Sequence, residues 1–327
     1  MSDKPIRVAA VGAGEFGRNH VRVWRGLEGA ELVGIVDIDA GRAARIAAEF
    51  GTRVIPGLDA LAAERVEAVS LAVPTKEHAR IGCRLLENDL DVLVEKPMAA
   101  SLAEADELIA AARRRGRILQ VGHVERFNPA VTAVQSIVSR PMFFEVHRLG
   151  IFTPRSLDID VVYDVMIHDL DIVLSLVNSP VADLKAVGIP VITDKVDIAH
   201  ARVEFETGTV ANFTASRVST ERVRKMRFFQ EHEYISLDFT RQDVLRVRVK
   251  PATPQPEINF EKLPTKSEEP LHAELRAFLD SVRTRQTPAV DGLAGRRALG
   301  LADRVMAGIL EHAGRVQLGA YAPQDSR

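Results

Sequence analysis

Three side chains in the sequence have types and neighbours suited to proton transfer. Lys96 stands in Glu95-Lys96-Pro97 at the end of an apolar segment, and Pro97 stiffens the turn that follows. Asp164 and His168 lie four residues apart in a strongly apolar segment that we predict to be helical, so they share one helix face. Lysine and histidine are typical general acid–base groups. The alternatives are a solvated lysine, a satisfied buried Asp–His pair, or an aspartate that stabilises a helix N-terminus.

A glycine-rich turn indicates a dinucleotide-binding loop. Ile6–Val11 runs directly into Gly12-Ala13-Gly14-Glu15-Phe16-Gly17, which is G-x-G-x-x-G between a predicted strand and a predicted helix. Gly12 allows the tight turn, Gly14 lets a pyrophosphate approach the backbone, and Gly17 lets the helix pack closely on the strand. The phosphates would bind at the helix N-terminus. The alternative is a glycine-rich turn with no ligand.

Asp37 indicates which dinucleotide the loop binds. It ends the second predicted strand, where a carboxylate accepts hydrogen bonds from the adenosine ribose hydroxyls. The same carboxylate repels a 2′-phosphate, and Asp39 adds negative charge beside it. We therefore predict NAD rather than NADP as the cofactor.

Strand and helix patterns alternate through the first 122 residues. Short apolar segments predict buried strands, and segments rich in Ala, Leu, Glu and Arg predict the helices between them. This alternation predicts an α/β fold with a parallel sheet and helices on both faces. The predicted strands are Ile6–Val11, Glu31–Val36, Glu67–Val73, Leu90–Val94 and Arg117–Val121, and the predicted helices are residues 16–28, 41–50, 76–88 and 101–115.

After residue 140 the pattern becomes typical of an antiparallel sheet with one apolar face. Residues 251–270 are rich in Pro, Glu and Lys and predict a surface loop before two closing helices. We predict a Rossmann domain over 1–122 and a substrate-binding and oligomerisation domain over 123–327, whose terminal helices pack back on the first domain. The predicted strands of the second part are Ala199–Glu206, Thr209–Arg217, Val223–Phe229, Tyr234–Phe239 and Val244–Val249, and its predicted helices are about 164–177, 270–285 and 292–312.

Composition excludes several function classes. The 327 residues carry 43 basic and 45 acidic side chains, and this net charge of −2 argues against nucleic acid or an acidic membrane as a partner. One cysteine and an N-terminus without a signal peptide favour a cytoplasmic protein. The nine histidines show no ligand spacing, so we predict no metal. An open sheet with an uncovered apolar face would need a partner, so we expect a homodimer or homotetramer.

Together these motifs resemble the Gfo/Idh/MocA oxidoreductases, and the resemblance extends over nearly the whole chain. It implies an N-terminal Rossmann domain, a C-terminal α+β domain with an open, mainly antiparallel sheet, and NAD(P)-dependent chemistry on sugar-like alcohols. It also implies that Lys96, Asp164 and His168 are catalytic. The cofactor-binding residues that it implies are Gly12, Gly14, Glu15, Phe16, Gly17, Asp37, Val73, Pro74, Thr75, His78, Glu95, Lys96 and Pro97.

Gly122–Pro129 and Pro154–Asp160, with the sequence around His168, carry a narrower resemblance to the UDP-N-acetylglucosamine 3-dehydrogenases. It implies NAD-dependent oxidation of the sugar 3-hydroxyl to a ketone, which an aminotransferase then converts to an amine for lipid A biosynthesis. We predict that this nucleotide sugar contacts Lys96, Arg126, Asn128, Arg155, Asp164 and His168. The alternatives are another sugar or inositol dehydrogenase of the same family, and a non-catalytic NAD-binding regulator.

Overall fold

The structure is a computed structural model that describes residues 4–153 and 159–316. Its internal packing divides the chain into two compact units. The first contains the residues up to Phe127 together with Glu269–Arg296, and the second contains Asn128–Glu268 together with the residues from Arg297 onward. The domain boundary predicted after residue 122 stays a prediction.

The first unit is built on a parallel five-stranded sheet with the strand order β2-β1-β3-β4-β5. β3, β4 and β5 are buried along their whole length, as expected for strands covered by helices on both faces. This confirms the predicted Rossmann architecture. The strands are β1 (Ile6–Val11), β2 (Ala30–Val36), β3 (Ala68–Leu71), β4 (Asp91–Glu95) and β5 (Leu119–Gly122). The helices that begin in this unit are α1 (Glu15–Gly26), α2 (Ala40–Phe50), α3 (Ala60–Ala63), α4 (His78–Glu87), α5 (Leu102–Arg115), α8 (Pro270–Thr284) and α9 (Gly292–Arg315).

The second unit is built on an eight-stranded sheet with the strand order β13-β12-β11-β10-β6-β9-β8-β7. All its neighbouring strands are antiparallel except β6 and β9, which run parallel. This confirms the predicted open, mainly antiparallel sheet. Its strands are β6 (Phe143–Leu149), β7 (Val181–Ile189), β8 (Ile198–Phe205), β9 (Val210–Ser216), β10 (Val223–Gln230), β11 (Glu233–Asp238), β12 (Asp243–Lys250) and β13 (Glu257–Lys262), and its helices are α6 (Pro129–Gln135) and α7 (Ile167–Val177).

One face of this second sheet contributes to the core. Buried and partly exposed side chains alternate along β6, β8 and β9, so a single face supplies the buried residues. Phe144 and Phe228 stack at 5.3 Å between ring centroids within that core. Helix α7 and the later turns of α9 contribute apolar side chains to the same cluster.

The structure overturns one expectation from the sequence and refines another. The predicted loop over 251–270 contains strand β13, which pairs with β12 at the edge of the sheet. An edge strand has one neighbour and is mostly exposed, so it lacks the apolar signature of a buried strand. The helix predicted over 164–177 begins as a π-helical turn, Val162–Met166, and becomes α-helical from Ile167.

Candidate active site

The glycine loop has the shape that a dinucleotide requires. Gly12 has φ +97°, and a Cβ there would lie 2.3 Å from the carbonyl oxygen of Ala72. A Cβ on Gly17 would lie 2.0 Å from the Gly12 carbonyl oxygen, so helix α1 meets the loop at a distance that glycine alone allows. Gly14, by contrast, has open space where a Cβ would project. The loop is therefore tight at both ends and open at its centre, where a pyrophosphate could approach.

Asp37 lies at the carboxyl end of β2, beside this loop. One carboxylate oxygen accepts a hydrogen bond from the Ala13 amide, and the other accepts from the Asp39 amide at 2.8 Å and from Arg42 Nη2 at 2.7 Å. Burial alone would raise the pKa of Asp37, but these hydrogen bonds and the Arg42 charge lower it. Asp37 is therefore held as a carboxylate next to the glycine loop.

His78 joins the segments that follow β3 and β4. Its ring nitrogens lie 2.9 Å from the carbonyl oxygens of Val73 and Pro97, and the side chain is 1% exposed. Burial lowers the pKa of His78, although both carbonyls act in the opposite direction. His78 therefore connects the predicted cofactor-binding segment after β3 to the one after β4. Pro74 is exposed, and Thr75 begins a 3-10 turn that ends at Glu77.

Lys96 follows β4 at the carboxyl edge of the parallel sheet, and its side chain is partly exposed. Its peptide bond to Pro97 is cis. The Lys96 amide donates to Glu95 Oε2 at 3.2 Å, and Glu95 Oε1 lies 2.8 Å from His20 Nε2. The buried Glu95 carboxylate therefore connects the Lys96 backbone to helix α1, and its predicted contact with the cofactor stays a prediction.

Asp164 and His168 lie at the start of a helical segment that contributes apolar side chains to the core of the second unit. Asp164 lies in the π-helical turn and His168 in the first turn of α7, and both are partly exposed. Helix α7 is fixed to β6 by a buried ion pair, in which Arg148 Nε and Nη2 donate to the two oxygens of Asp169 at 2.8 and 2.7 Å. Arg148 also stacks over the Phe239 ring at 5.0 Å. A π-helical turn is frequently found at functional sites.

The predicted substrate residues have different environments. Arg126 is partly exposed, and its Nη2 donates to the Ala289 carbonyl oxygen at 3.3 Å. Asn128 is buried, where Oδ1 caps helix α6 through the Ala130 amide and Nδ2 donates to the Phe239 carbonyl oxygen at 3.0 Å. Arg155 lies outside the described residues. Substrate contacts by these three side chains stay predictions.

The first unit therefore brings the predicted cofactor residues to one edge of one sheet. They stand after the carboxyl ends of β1, β2, β3 and β4, which is where open α/β sheets bind ligands. Lys96 belongs to this unit, whereas Asp164 and His168 belong to the second. Within 4–153 and 159–316, no cluster of three or more His, Cys, Asp or Glu side chains could hold a metal ion. The helices of those same residues include none long and apolar enough to cross a membrane.

Two buried side chains near Lys96 were missed in the sequence. His20 lies on the buried face of α1 and Glu274 on the apolar face of α8, and neither belongs to a recognisable motif. Both could have been found as polar residues at positions where the helical periodicity places the buried, apolar face of the helix. Glu274 follows Leu271 by three residues and precedes Phe278 by four, which places it within the stripe.

The open glycine loop and the Asp37 carboxylate beside it are typical of a Rossmann-type dinucleotide-binding protein. Residues 6–123 match the family described as an oxidoreductase family with an NAD-binding Rossmann fold, and residues 130–235 match the GFO/IDH/MocA C-terminal domain. The chain belongs to the Gfo/Idh/MocA family of NAD-binding oxidoreductases, whose members include dehydrogenases that act on CH–OH groups.

Two proteins and one solved structure are similar to large parts of this chain. It is 38% identical over 304 residues to the UDP-N-acetylglucosamine 3-dehydrogenase of Acidithiobacillus ferrooxidans, covering 92% of this chain and 96% of that protein. A solved structure of the A. ferrooxidans enzyme superposes with a TM-score of 0.87 at 37% identity and covers 93% of this chain and 97% of that one. The inositol 2-dehydrogenase of Rubrobacter xylanophilus is 35% identical over 175 residues, which are 51% of this chain and 50% of that protein.

Proposed function

We propose that this protein is an NAD-dependent dehydrogenase that oxidises the 3-hydroxyl of UDP-N-acetylglucosamine to a ketone. The observation that carries the proposal is the 38% identity, over 92% of the chain, to an enzyme with that name. The ketone is the kind of product that an aminotransferase converts to an amine, so we propose an aminotransferase as the next enzyme and 3-amino sugar synthesis for lipid A as the purpose. Inositol and other sugars are the competing substrates, because R. xylanophilus inositol 2-dehydrogenase is also similar over half of the chain.

NAD would be held by the glycine loop, by Asp37 and by the segments after β3 and β4. The open space at Gly14 and the ionised Asp37 fit a pyrophosphate and a free ribose hydroxyl, respectively. When bound, NAD accepts a hydride from the sugar carbon. The Asp37 carboxylate would repel the 2′-phosphate of NADP, although Arg42 beside it offsets part of that repulsion.

Lys96 is the base in this proposal. Its Nζ takes the proton from the sugar hydroxyl as the carbon loses its hydride, so the alcohol loses two electrons and two hydrogens and becomes a ketone. Lys96 suits this role because it follows β4 at the sheet edge where the glycine loop also lies. Asp164 and His168 bind and orient the sugar, with His168 as the competing candidate for the base.

A panel of substrates tests the function directly. NADH formation at 340 nm is measured with NAD and UDP-N-acetylglucosamine, other UDP-sugars, free sugars and inositols. We expect turnover with UDP-N-acetylglucosamine and a product that an aminotransferase converts to a 3-amino sugar. Turnover with inositol or free glucose, and none with UDP-N-acetylglucosamine, would show a different dehydrogenase of the family. No turnover with any of them, together with NAD binding, would favour a regulator.

A diphosphate substrate requires cations, and Arg126 and Arg155 are the candidates. Because a diphosphate is bound about equally in the ground state and the transition state, Arg155→Ala should raise KM for UDP-N-acetylglucosamine and leave kcat nearly unchanged. Arg140→Ala removes an exposed arginine and is the matched control. A fall in kcat at constant KM would contradict a diphosphate-binding role for Arg155.

We further propose that the face of the second sheet opposite its core joins two copies of the chain. A row of directly paired apolar and aromatic side chains crosses six strands of that face. Phe143 and Phe229 stack within it at 5.8 Å, and Phe260 at its end is 69% exposed. A homodimer buries the same surface on both copies. The row consists of Val210, Phe143, Phe229, Tyr234, Val247 and Phe260.

The oligomeric state in solution tests this interface. By light scattering after gel filtration, we expect the wild type to be a dimer or tetramer and Phe260→Lys to shift it toward smaller species. Leu310→Lys places the same charge on an exposed apolar position of α9 and should leave the assembly unchanged. A monomeric wild type would refute the interface.

A further inference from the structure

A buried cluster of His20, Glu95 and Glu274, which we call the Glu95 cluster, lies next to Lys96 in the first unit. Each residue comes from a different element: His20 from α1, Glu95 from the end of β4, and Glu274 from α8. His20 is 1% exposed, Glu95 9% and Glu274 0%. Three titratable side chains are thus enclosed beside the residue that we propose as the base.

Glu95 is the charged member of this cluster. Its Oε1 lies 2.8 Å from His20 Nε2, and its Oε2 accepts from the Lys96 amide at 3.2 Å. Burial alone would raise the pKa of Glu95, but the adjacent His20, and after it the charge and amide of Lys96, lower it. Both carboxylate oxygens are therefore used to hold the Lys96 backbone against helix α1.

His20 fits the cluster best as a neutral ring. Across residues 4–153 and 159–316, its Nδ1 has no hydrogen-bond partner. An imidazolium would bury an N–H there without an acceptor, whereas the neutral ring with its proton on Nε2 donates that proton to Glu95. The net charge of the pair is then that of the Glu95 carboxylate.

Glu274 is the neutral member. Neither of its carboxyl oxygens has a hydrogen-bond partner among the residues that the structure describes. Burial, and then repulsion from Glu95, raises the pKa of Glu274 far above that of a free glutamate. An apolar side chain would fill the same place on the stripe of α8 without burying an unsatisfied carboxyl group, which costs about 1–3 kcal/mol. A buried acid that destabilises the fold in this way, in the cluster next to Lys96, indicates a functional role.

We propose that the Glu95 cluster is a positioning device for Lys96, which holds a single negative charge beside the ammonium group and fixes the backbone from which it projects. Two carboxyl groups in one buried site share one charge, because ionising both would place like charges together. The proposal rests on the proposed role of Lys96 as the base. Further buried titratable groups that follow or begin the neighbouring elements include His78 on α4, and His123 and Glu125, which follow β5.

The pH dependence of Lys96 in matched variants tests the charge. Glu95→Gln keeps the shape of the side chain and removes the charge, so the Lys96 ammonium should lose its proton more easily. We expect the acid limb of the kcat/KM profile to move to lower pH by about one unit. Glu274→Gln replaces a neutral acid by a neutral amide and should move the limb by less than half as much. Glu107→Gln, an exposed acid on α5, is the control.

A second readout does not depend on activity. Trace acetylation of Lys96 as a function of pH, measured by mass spectrometry of its peptide, gives the midpoint of proton loss in the folded protein. The midpoint should move in the same direction as the acid limb in Glu95→Gln. An unmoved midpoint would overturn the proposal, and so would a Glu274→Gln shift as large as that of Glu95→Gln. If the midpoints move as expected but no sugar is oxidised, the proposed function fails and the cluster stands.

The hydrogen bond from His20 is tested by a rescue. His20→Ala removes the donor to Glu95 Oε1 and should lower kcat about tenfold through misplacement of Lys96. His20→Gln supplies an N–H donor without a titrating ring and should recover most of that loss. Equal rates in the two variants would show that the donor does not position Lys96.

Discussion

The two edges of the parallel sheet use charged side chains differently, and β4 shows the contrast within one strand. At its amino end, buried Asp91 is paired with Arg285 at 2.6 and 3.0 Å and also accepts from the Ile118 amide. At its carboxyl end, Glu95 contacts His20 and the Lys96 amide, and Glu274 lies close enough to repel it. The amino edge therefore compensates its charge with an arginine, whereas the carboxyl edge keeps titratable groups next to Lys96, the proposed base.

This difference predicts whether a substitution should change stability or should change cofactor binding and turnover. A side chain at the amino edge stabilises the fold, so its loss should appear in unfolding experiments and not in cofactor binding. A side chain at the carboxyl edge should affect cofactor binding or turnover at little loss of stability. Four experiments test this distinction.

Lys96→Met should have the largest effect. We expect turnover to fall about 100-fold or more, which is the scale for loss of an acid–base group, while the NAD dissociation constant stays within about twofold of wild type. Lys185→Met, on an exposed position of β7, is the control. His168→Ala is measured alongside, because wild-type turnover in either variant would remove that residue from the mechanism.

Arg285→Met should act on stability alone. The Arg285 side chain is 42% exposed but the Asp91 side chain is 3% exposed, so removal of the arginine leaves a buried carboxylate poorly compensated. We expect the free energy of unfolding in urea to fall by about 1–3 kcal/mol. NAD affinity measured by calorimetry should not change, and a parallel loss of affinity would break the distinction between the edges.

Substitutions at Gly12 and Gly14 of the glycine loop should change different properties, which are stability at Gly12 and NAD binding at Gly14. Gly12→Ala forces a Cβ against the Ala72 carbonyl at positive φ and should destabilise the protein by about 1–3 kcal/mol. Gly14→Ala meets nothing within 4 Å, so the melting temperature should stay the same while NAD binds about tenfold more weakly through contact of the methyl group with the pyrophosphate. A destabilised Gly14→Ala variant would contradict the open space described here.

Asp37→Ala should have the smallest effect, a change of preference. Loss of the carboxylate weakens NAD binding several-fold and leaves Arg42 available to a 2′-phosphate, so the ratio of NAD to NADP affinity should fall by about tenfold. Asp39→Ala removes the cap of α2, where Asp39 Oδ1 accepts from the Arg42 amide, and should lower stability while changing that ratio less than Asp37→Ala does. A wild type that prefers NADP would refute the role given to Asp37.

Much of the first unit could be predicted because its signals are local. β1 begins and ends where the apolar segment does, and the glycine spacing at Gly12–Gly17 places the loop between a strand and a helix. The carboxyl ends of neighbouring parallel strands meet at one edge, so the placement of Asp37 and Lys96 followed from the fold class.

Features that depend on distant residues could not be predicted in the same way. The contact of His20 with Glu95 joins residues 75 positions apart, and Glu274 reaches the first unit from near the other end of the chain. The π-helical turn at Val162–Met166 has no signature in residue spacing, because the same residues are equally compatible with an α-helix. β13 was missed because exposure and nearby prolines make an edge strand resemble a loop.

The parallel pairing of β6 with β9 has a consequence for the order in which the second sheet forms. β7, β8 and β9 make one antiparallel ribbon and β10 to β13 make another, and each ribbon can assemble by pairing strands that are consecutive in the sequence. β6 joins the two ribbons. Counted from Phe143, the first residue of β6, its partner strands begin 67 and 80 residues later, at Val210 and Val223. Long chain closure slows the pairing of strands. We therefore expect the centre of this sheet to form after its two outer parts, with β6 as the last strand to enter.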